Sequence, residues 1–143
     1  MEAARAAHLL RKIGAMCLSF GLIGLGVICS ISPNDAAKLY GLPTLSDASA
    51  VHAWVQVAGL RDFGLGCATL AISVSYPQAL RVYAPTIAII PIGDAYLTYA
   101  FGGSALDAAA HIFGTVAIGI LSLCAWLDPA LSASSEEAAK KVK

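Results

Sequence analysis

Arg61 and Asp62 stand side by side in the middle of an apolar run that extends from about Val51 to Tyr76. The run is long enough to cross a bilayer as a helix. One charge at the centre of such a helix costs about 2.5–3.5 kcal/mol on insertion scales, so an adjacent pair demands partners that offset the cost. The chain offers Asp94, Asp107 and His111 in other apolar stretches. An Asp–Arg–Asp set suits acid–base work on a lipophilic substrate. A carboxylic acid in a low-dielectric pocket keeps its proton at neutral pH and can deliver it to an epoxide, alkene or carbonyl. Asp94 is the expected acid, because Pro91 and Gly93 flank it and suggest a locally opened backbone. Arg61 would hold a second carboxylate, Asp62 among the candidates, ionised as base, or stabilise an oxyanion. His111 lies four residues after Asp107 on one helical face, where Asp107 can position it as base or proton shuttle. The plainer reading of the same residues is an Arg–carboxylate lock that fixes helix register.

The surrounding composition sets the solvent. The chain has 143 residues, of which 58% are hydrophobic and 13% charged, and this excludes an ordinary soluble domain. Mean hydropathy is +0.74. Formal net charge is zero and there is no basic face for nucleic acid. Cys17, Cys29, Cys67 and Cys124 all lie in apolar runs without CxxC spacing, so neither a redox dithiol nor a zinc site is indicated. His52 and His111 have no diagnostic metal spacing, and HExxH, GxSxG and phosphate-binding Gly-rich loops are missing. No cofactor or metal is expected.

The elements that must position the charges form an all-α integral membrane four-helix bundle, read as one domain over residues 1–143. Spans are expected at about 13–31, 51–76, 79–101 and 105–127, followed by a polar tail at 128–143. Met1 to Lys12 reads as an interfacial helix or the start of span one. Its apolar continuation exceeds a signal-peptide core, which predicts a retained span. Gly21, Gly24 and Gly26 allow close helix approach, and homo-oligomerisation through such faces. In the connection, Asp35 is the expected cap of a short helix through Tyr40, ended by Gly41 and Pro43. Tyr40, Leu42 and Leu45 suit the headgroup level. Ala58, Asp62 and Gly66 form a small-polar-small row, a seam against a neighbour. His52, Trp54 and Gln56 open span two, and Tyr96 and Tyr99 close span three. These five are the expected walls of a substrate pocket.

Four spans put both termini and the turn at Pro77 on one side, with Arg5, Arg11, Lys12, Arg81, Lys140, Lys141 and Lys143. The other side has only Lys38. The positive-inside rule places the richer side in the cytosol. Lys140-Lys141-Val142-Lys143 then resembles the dilysine retrieval signal of endoplasmic reticulum membrane proteins. With this orientation His111 and Asp94 lie roughly 9–11 Å below the lumenal edge, and Arg61 and Asp62 roughly 15 Å below it.

Several short stretches together resemble a family. They are Ala36 to Leu42 (AAKLYGL), Arg61-Asp62 with Gly64 and Gly66, Gly93-Asp94, and Ala110-His111 with Gly114. They are similar to the small four-span membrane proteins grouped in domain-of-unknown-function families beside DoxX, common in fungi. The resemblance implies a four-helix membrane bundle. It also implies a place in natural-product pathways, where small membrane proteins act as cyclases or isomerases of terpenoid or polyketide intermediates. Glutathione-transferring membrane enzymes are a poorer comparison, because their Glu-Arg and Asn signature is missing.

The resulting expectation is an endoplasmic reticulum membrane enzyme that cyclises, isomerises or opens an epoxide on a lipophilic small molecule. The rivals are a non-catalytic scaffold or partner subunit and a proton-linked carrier working as an oligomer.

Overall fold

The computed structural model describes residues 2–40, 49–101 and 103–131, and the side chains of residues 49–51 are not among those described. Every regular element among the described residues is helical. In order these are α1 (Glu2–Ile31), α2 (Pro33–Leu39), α3 (Ser49–Ser75), a 3-10 turn (Pro77–Ala79), α4 (Leu80–Ile87), α5 (Ile89–Ala100) and α6 (Ala105–Leu127). Three stretches are long and apolar enough to cross a membrane: α1, His52–Ser75 of α3, and α6. Their outer faces fit that solvent. Phe20 of α1 is 58% exposed, and Leu60 and Val74 of α3 and Phe113 of α6 are each 71–75% exposed; such apolar exposure on many turns marks a lipid-facing surface.

Two expectations about boundaries change. The helix that carries span one starts well before Ile13, because α1 is continuous from Glu2. The expected third span is two helices, separated at Ala88. The cause is Pro91, which has no N–H for the Ile87 carbonyl and whose ring crowds that carbonyl four residues upstream. The backbone therefore opens at Ala88, and Gly93 and Asp94 sit in regular helix.

α1 and α3 pack side by side along most of their length, antiparallel, through small residues. A Cβ at Gly26 would stand 2.6 Å from the Gly59 carbonyl oxygen, and one at Gly66 would stand 2.7 Å from the Ser19 carbonyl oxygen. These positions admit only hydrogen at that separation. Gly21 and Gly24, expected to act the same way, meet nothing within 4 Å. In α3 the buried positions Val55, Gly59, Asp62, Gly66 and Thr69 recur every three or four residues, so the seam carries Asp62 into the protein.

α2 corrects another expectation. Its N-cap is Ser32, not Asp35, because Pro33 at the first helical position starts the helix three residues earlier. Asp35 lies in the first turn. The Ser32 hydroxyl and the Lys38 ammonium hold its carboxyl below the usual value. Ala36 and Ala37 face Cys29 and Val55, and this packing brings Tyr40 inward. Gly41, Leu42, Pro43 and Leu45 lie outside the described residues, as does the tail with Lys140, Lys141 and Lys143.

A second core joins α1, α4 and α6 through Ala15, Leu80, Ala84, Ile87, Ile118, Leu121 and Ala125. Beneath it, Asp128 ends α6 and ties to α1. Arg11 Nε donates to its Oδ2 at 2.7 Å, and His8 Nδ1 lies 3.0 Å from the same oxygen. Arg81 donates to the carbonyls of Ala125 and Asp128 and lies over the Trp126 ring.

Two predictions follow from these contacts. Gly66→Val should lower stability by about 1–3 kcal/mol through overpacking, whereas Gly24→Ala leaves it unchanged; thermal unfolding in detergent reads both. The second concerns pH. Burial pushes the Asp128 carboxyl up, but hydrogen bonds from Arg11, the Ala130 N–H and His8 outweigh burial and leave it below its usual value. A depressed carboxylate stabilises above its unfolded value, about 3.9, and that contribution is lost as pH falls through the folded value. Asp128→Asn should therefore unfold several degrees earlier at pH 7, with the gap closing below about pH 4. A gap that persists unchanged well below that pH contradicts the assignment.

Candidate functional site

The seam row of α3 brings Asp62 inside at 4% exposure, and the next residue, Arg61, emerges into the crevice between α3 and α5. Successive helical residues differ by about 100°, so the pair cannot share a direction. Arg61 resolves this by folding back. Its Nε donates to Asp62 Oδ1 at 3.0 Å. Its Nη1 and Nη2 donate to Asp94 Oδ1 and Oδ2 at 3.3 and 3.0 Å. One guanidinium thus uses its two edges on two carboxylates from different helices, the fork geometry that favours Arg over Lys.

Tyr40 completes the inner side. Its hydroxyl donates to Asp62 Oδ2, and Cys29 Sγ lies 3.7 Å from that hydroxyl. Burial, then the neighbouring Asp62 carboxylate, push the Tyr40 phenol well above its ordinary value. The Tyr40 carbonyl accepts from Thr98 Oγ1 at 3.2 Å and lies 3.4 Å from His111 Nε2. The His111 ring stacks on the Tyr40 ring with 6.1 Å between centroids and 13° between planes. Tyr40 therefore joins α2, α3, α5 and α6 at one point. The alanine face of α2 turns the Tyr40 side chain into the protein.

Two apolar cavities flank the polar wall. The first, about 220 Å³, lies between Trp54, Val55, Ala58, Leu97 and Phe101 and ends on Arg61, Asp94, Tyr40 and His111. The second, about 290 Å³, runs between α1, α5 and α6 past Leu22, Leu65, Ile90 and Gly114, and ends on Asp62, Asp94, Tyr40 and His111. Asp94, Tyr40 and His111 border both.

The expected site residues separate in space. Arg61, Asp62, Asp94 and His111 converge. Trp54 borders the first cavity while remaining 70% exposed. His52 instead bonds Asn34 Oδ1 at 2.7 Å, and Gln56 is exposed. Tyr96 and Tyr99 point outward and border neither described cavity. Asp107 closes a capping box with Ser104 at the start of α6. Its described hydrogen bonds all go to Ser104, and it is the Tyr40 carbonyl that His111 Nε2 faces. A Ser three residues before an Asp at a helix start is a capping signal, and here it competes with the Asp107/His111 pairing. Tyr40 is the residue sequence reasoning placed elsewhere. The signal available was AAKLY, whose alanines mark a buried face one turn before it. Among the described residues no group of three His, Cys, Asp or Glu side chains gathers to hold a metal.

Residues 19–127 match the family model described as Domain of unknown function (DUF4267). The chain belongs to that family. No curated protein and no solved structure matches it. The matched region takes in the whole cluster, from Cys29 to His111, and leaves out Arg11 and Asp128.

The buried phenol gives a spectroscopic check. Because Tyr40 stays protonated, Tyr40→Phe should leave unchanged the tyrosinate absorbance gained up to about pH 11, one unit above the ordinary value. The chain has five tyrosines, so a loss of a fifth of that signal contradicts the burial.

Proposed function

We propose that this protein is a multi-pass membrane enzyme whose Asp62–Arg61–Asp94 set performs acid–base chemistry on a lipophilic intermediate. The observation that carries the reading is the fork pairing of Arg61 with Asp94 between two apolar cavities that both end on Asp94 and His111. An apolar pocket with a few convergent polar groups is the usual form of a small-molecule site. Two carboxylates around one cation leave room for one proton, and a neutral set is the cheaper one in lipid.

In this account Asp94 passes a proton to an epoxide oxygen or an alkene carbon of the substrate. Arg61 bridges Asp94 and Asp62 throughout. The developing cation is captured by a second double bond of the same molecule, which forms a ring. Loss of a proton to Asp62 or His111 ends the sequence, and transfer back to Asp94 resets the site. Product and substrate are isomers, and no cofactor enters. The same acid opening an epoxide with water is the second chemistry the set supports.

The finer placement belongs to the same proposal. α4 and α5 together make a fourth crossing, broken at Ala88. Arg5, Arg11, Lys12 and Arg81 put their side in the cytosol. The resemblance to small membrane proteins beside DoxX, common in fungi, supports a terpenoid or polyketide-like substrate.

A second reading is a scaffold in which Arg61 is only a lock. It is favoured by the limited direct approach of α3 to α5, since the ion pair then does the joining.

Mass spectrometry of lipophilic extracts separates the two. Wild type, deletion and Asp94→Asn strains with equal membrane expression are compared. The proposal expects deletion and Asp94→Asn to accumulate one compound, isobaric with a product lost from both. A difference of one water indicates epoxide hydrolysis. Full product in both Asp94→Asn and Arg61→Ala contradicts the site, and a phenotype in the deletion alone favours the scaffold.

A further inference from the structure

At the opposite end of the bundle from Tyr40, Arg11 is 3% exposed yet incompletely used. Its Nε meets Asp128, while its Nη1 is buried without a hydrogen-bond partner among the described residues. An unmatched donor on a buried guanidinium costs about as much as a lost charged hydrogen bond, so its place calls for an acceptor. Arg11 also borders a cavity of about 370 Å³ with Lys12, Met16, Ser73 and Val74. The Ser73 hydroxyl donates to the Leu70 carbonyl at 2.8 Å, so the cationic residues that line the cavity are Arg11 and Lys12.

From the unmatched Arg11 Nη1, the adjoining Lys12 ammonium and the apolar surface below them, we propose that this cavity binds the phosphodiester headgroup of an anionic membrane lipid. Three observations fix the ligand class. Arg11 and Lys12 are the charged residues that border the cavity, and cations suit a phosphodiester. Residues 11 and 12 lie at the end of α1 where the polar segment gives way to the apolar run, the depth of a headgroup phosphate. Below Lys12, Met16 and Phe20 follow at four-residue intervals on one helix face and are 40% and 58% exposed, a track for an acyl chain. Basic pockets between membrane helices at this depth hold anionic headgroups. Met16 and Val74 extend that apolar contact across α1 and α3, so a bound lipid also clamps the α1–α3 seam.

The site is independent of the acid–base cluster and its test does not require the enzymatic reading. Purified full-length protein in a neutral detergent is given an equimolar mixture of phosphatidylglycerol and phosphatidylcholine, and retained lipid is counted by native mass spectrometry. Wild type should retain phosphatidylglycerol in preference to phosphatidylcholine. Lys12→Gln, at an exposed position, should weaken that preference about fivefold, the effect of one basic residue near a membrane surface. Lys38→Gln, which removes a cation elsewhere, should leave it intact. Equal retention of the two lipids, or an unchanged preference in Lys12→Gln, overturns the proposal. A parallel arm adds inorganic phosphate at millimolar concentration. If phosphate displaces phosphatidylglycerol fully, the cavity is a free-phosphate site and the lipid assignment fails.

Discussion

A guanidinium deep in a membrane protein needs anions, and two carboxylates on different helices are what Arg61 finds. That requirement organises the upper half of the molecule. α1 pairs with α3, and α5 pairs with α6, each along an extended contact. Between α3 and α5 the helices stand apart, and the space is divided between two apolar cavities. The Arg61 fork spans this gap. Its neighbours are then placed by necessity: Asp62 must point into the α1–α3 seam, and Tyr40 must descend from α2 to supply the donor that Asp62 still lacks.

The seam has its own constraint. Gly26, Gly59 and Gly66 bring the α1 and α3 backbones together where a side chain would not fit. Close approach is what makes Asp62 reachable from α2 and nearly closed to lipid. Packing and polar chemistry are therefore one arrangement: loosen the glycine seam and the carboxylate loses its cover. At the other end, Asp128 holds Arg11 and so fixes the start of α1 against the end of α6. The cluster thus rests on the small-residue seam, and the charged anchor lies at the opposite end of the bundle.

Much of this was legible in the sequence because charge is conspicuous in an apolar run. Arg61, Asp62, Asp94 and His111 stand out for that reason, and α6 has the bounds its hydropathy implies. The misses have particular causes. Tyr40 beside Gly and Pro reads as an interface aromatic, and only the burial of Ala36 and Ala37 turns it inward. Arg11 reads as a flanking charge. Yet Ala7, Arg11, Ala15 and Ser19 recur at intervals of four and are all buried, a stripe that small residues alone would have marked. The break at Ala88 falls upstream of the proline that causes it, since the lost bond is four residues back. Asp107 was read by its spacing to His111, while the shorter-range capping box with Ser104 prevailed.

The central claim is that Arg61 and Asp94 act as one unit joining α3 to α5. A double-mutant cycle tests it most directly, using Arg61→Met, Asp94→Asn and the double variant, with unfolding free energy measured in detergent. Residues joined in one charged network couple by about 1–3 kcal/mol, and independent residues add within about 0.5 kcal/mol. The account predicts that the double variant is less damaged than the sum of the singles, by an amount in the coupled range. Additive losses would contradict it, because they would mean that the fork does not hold the two helices together.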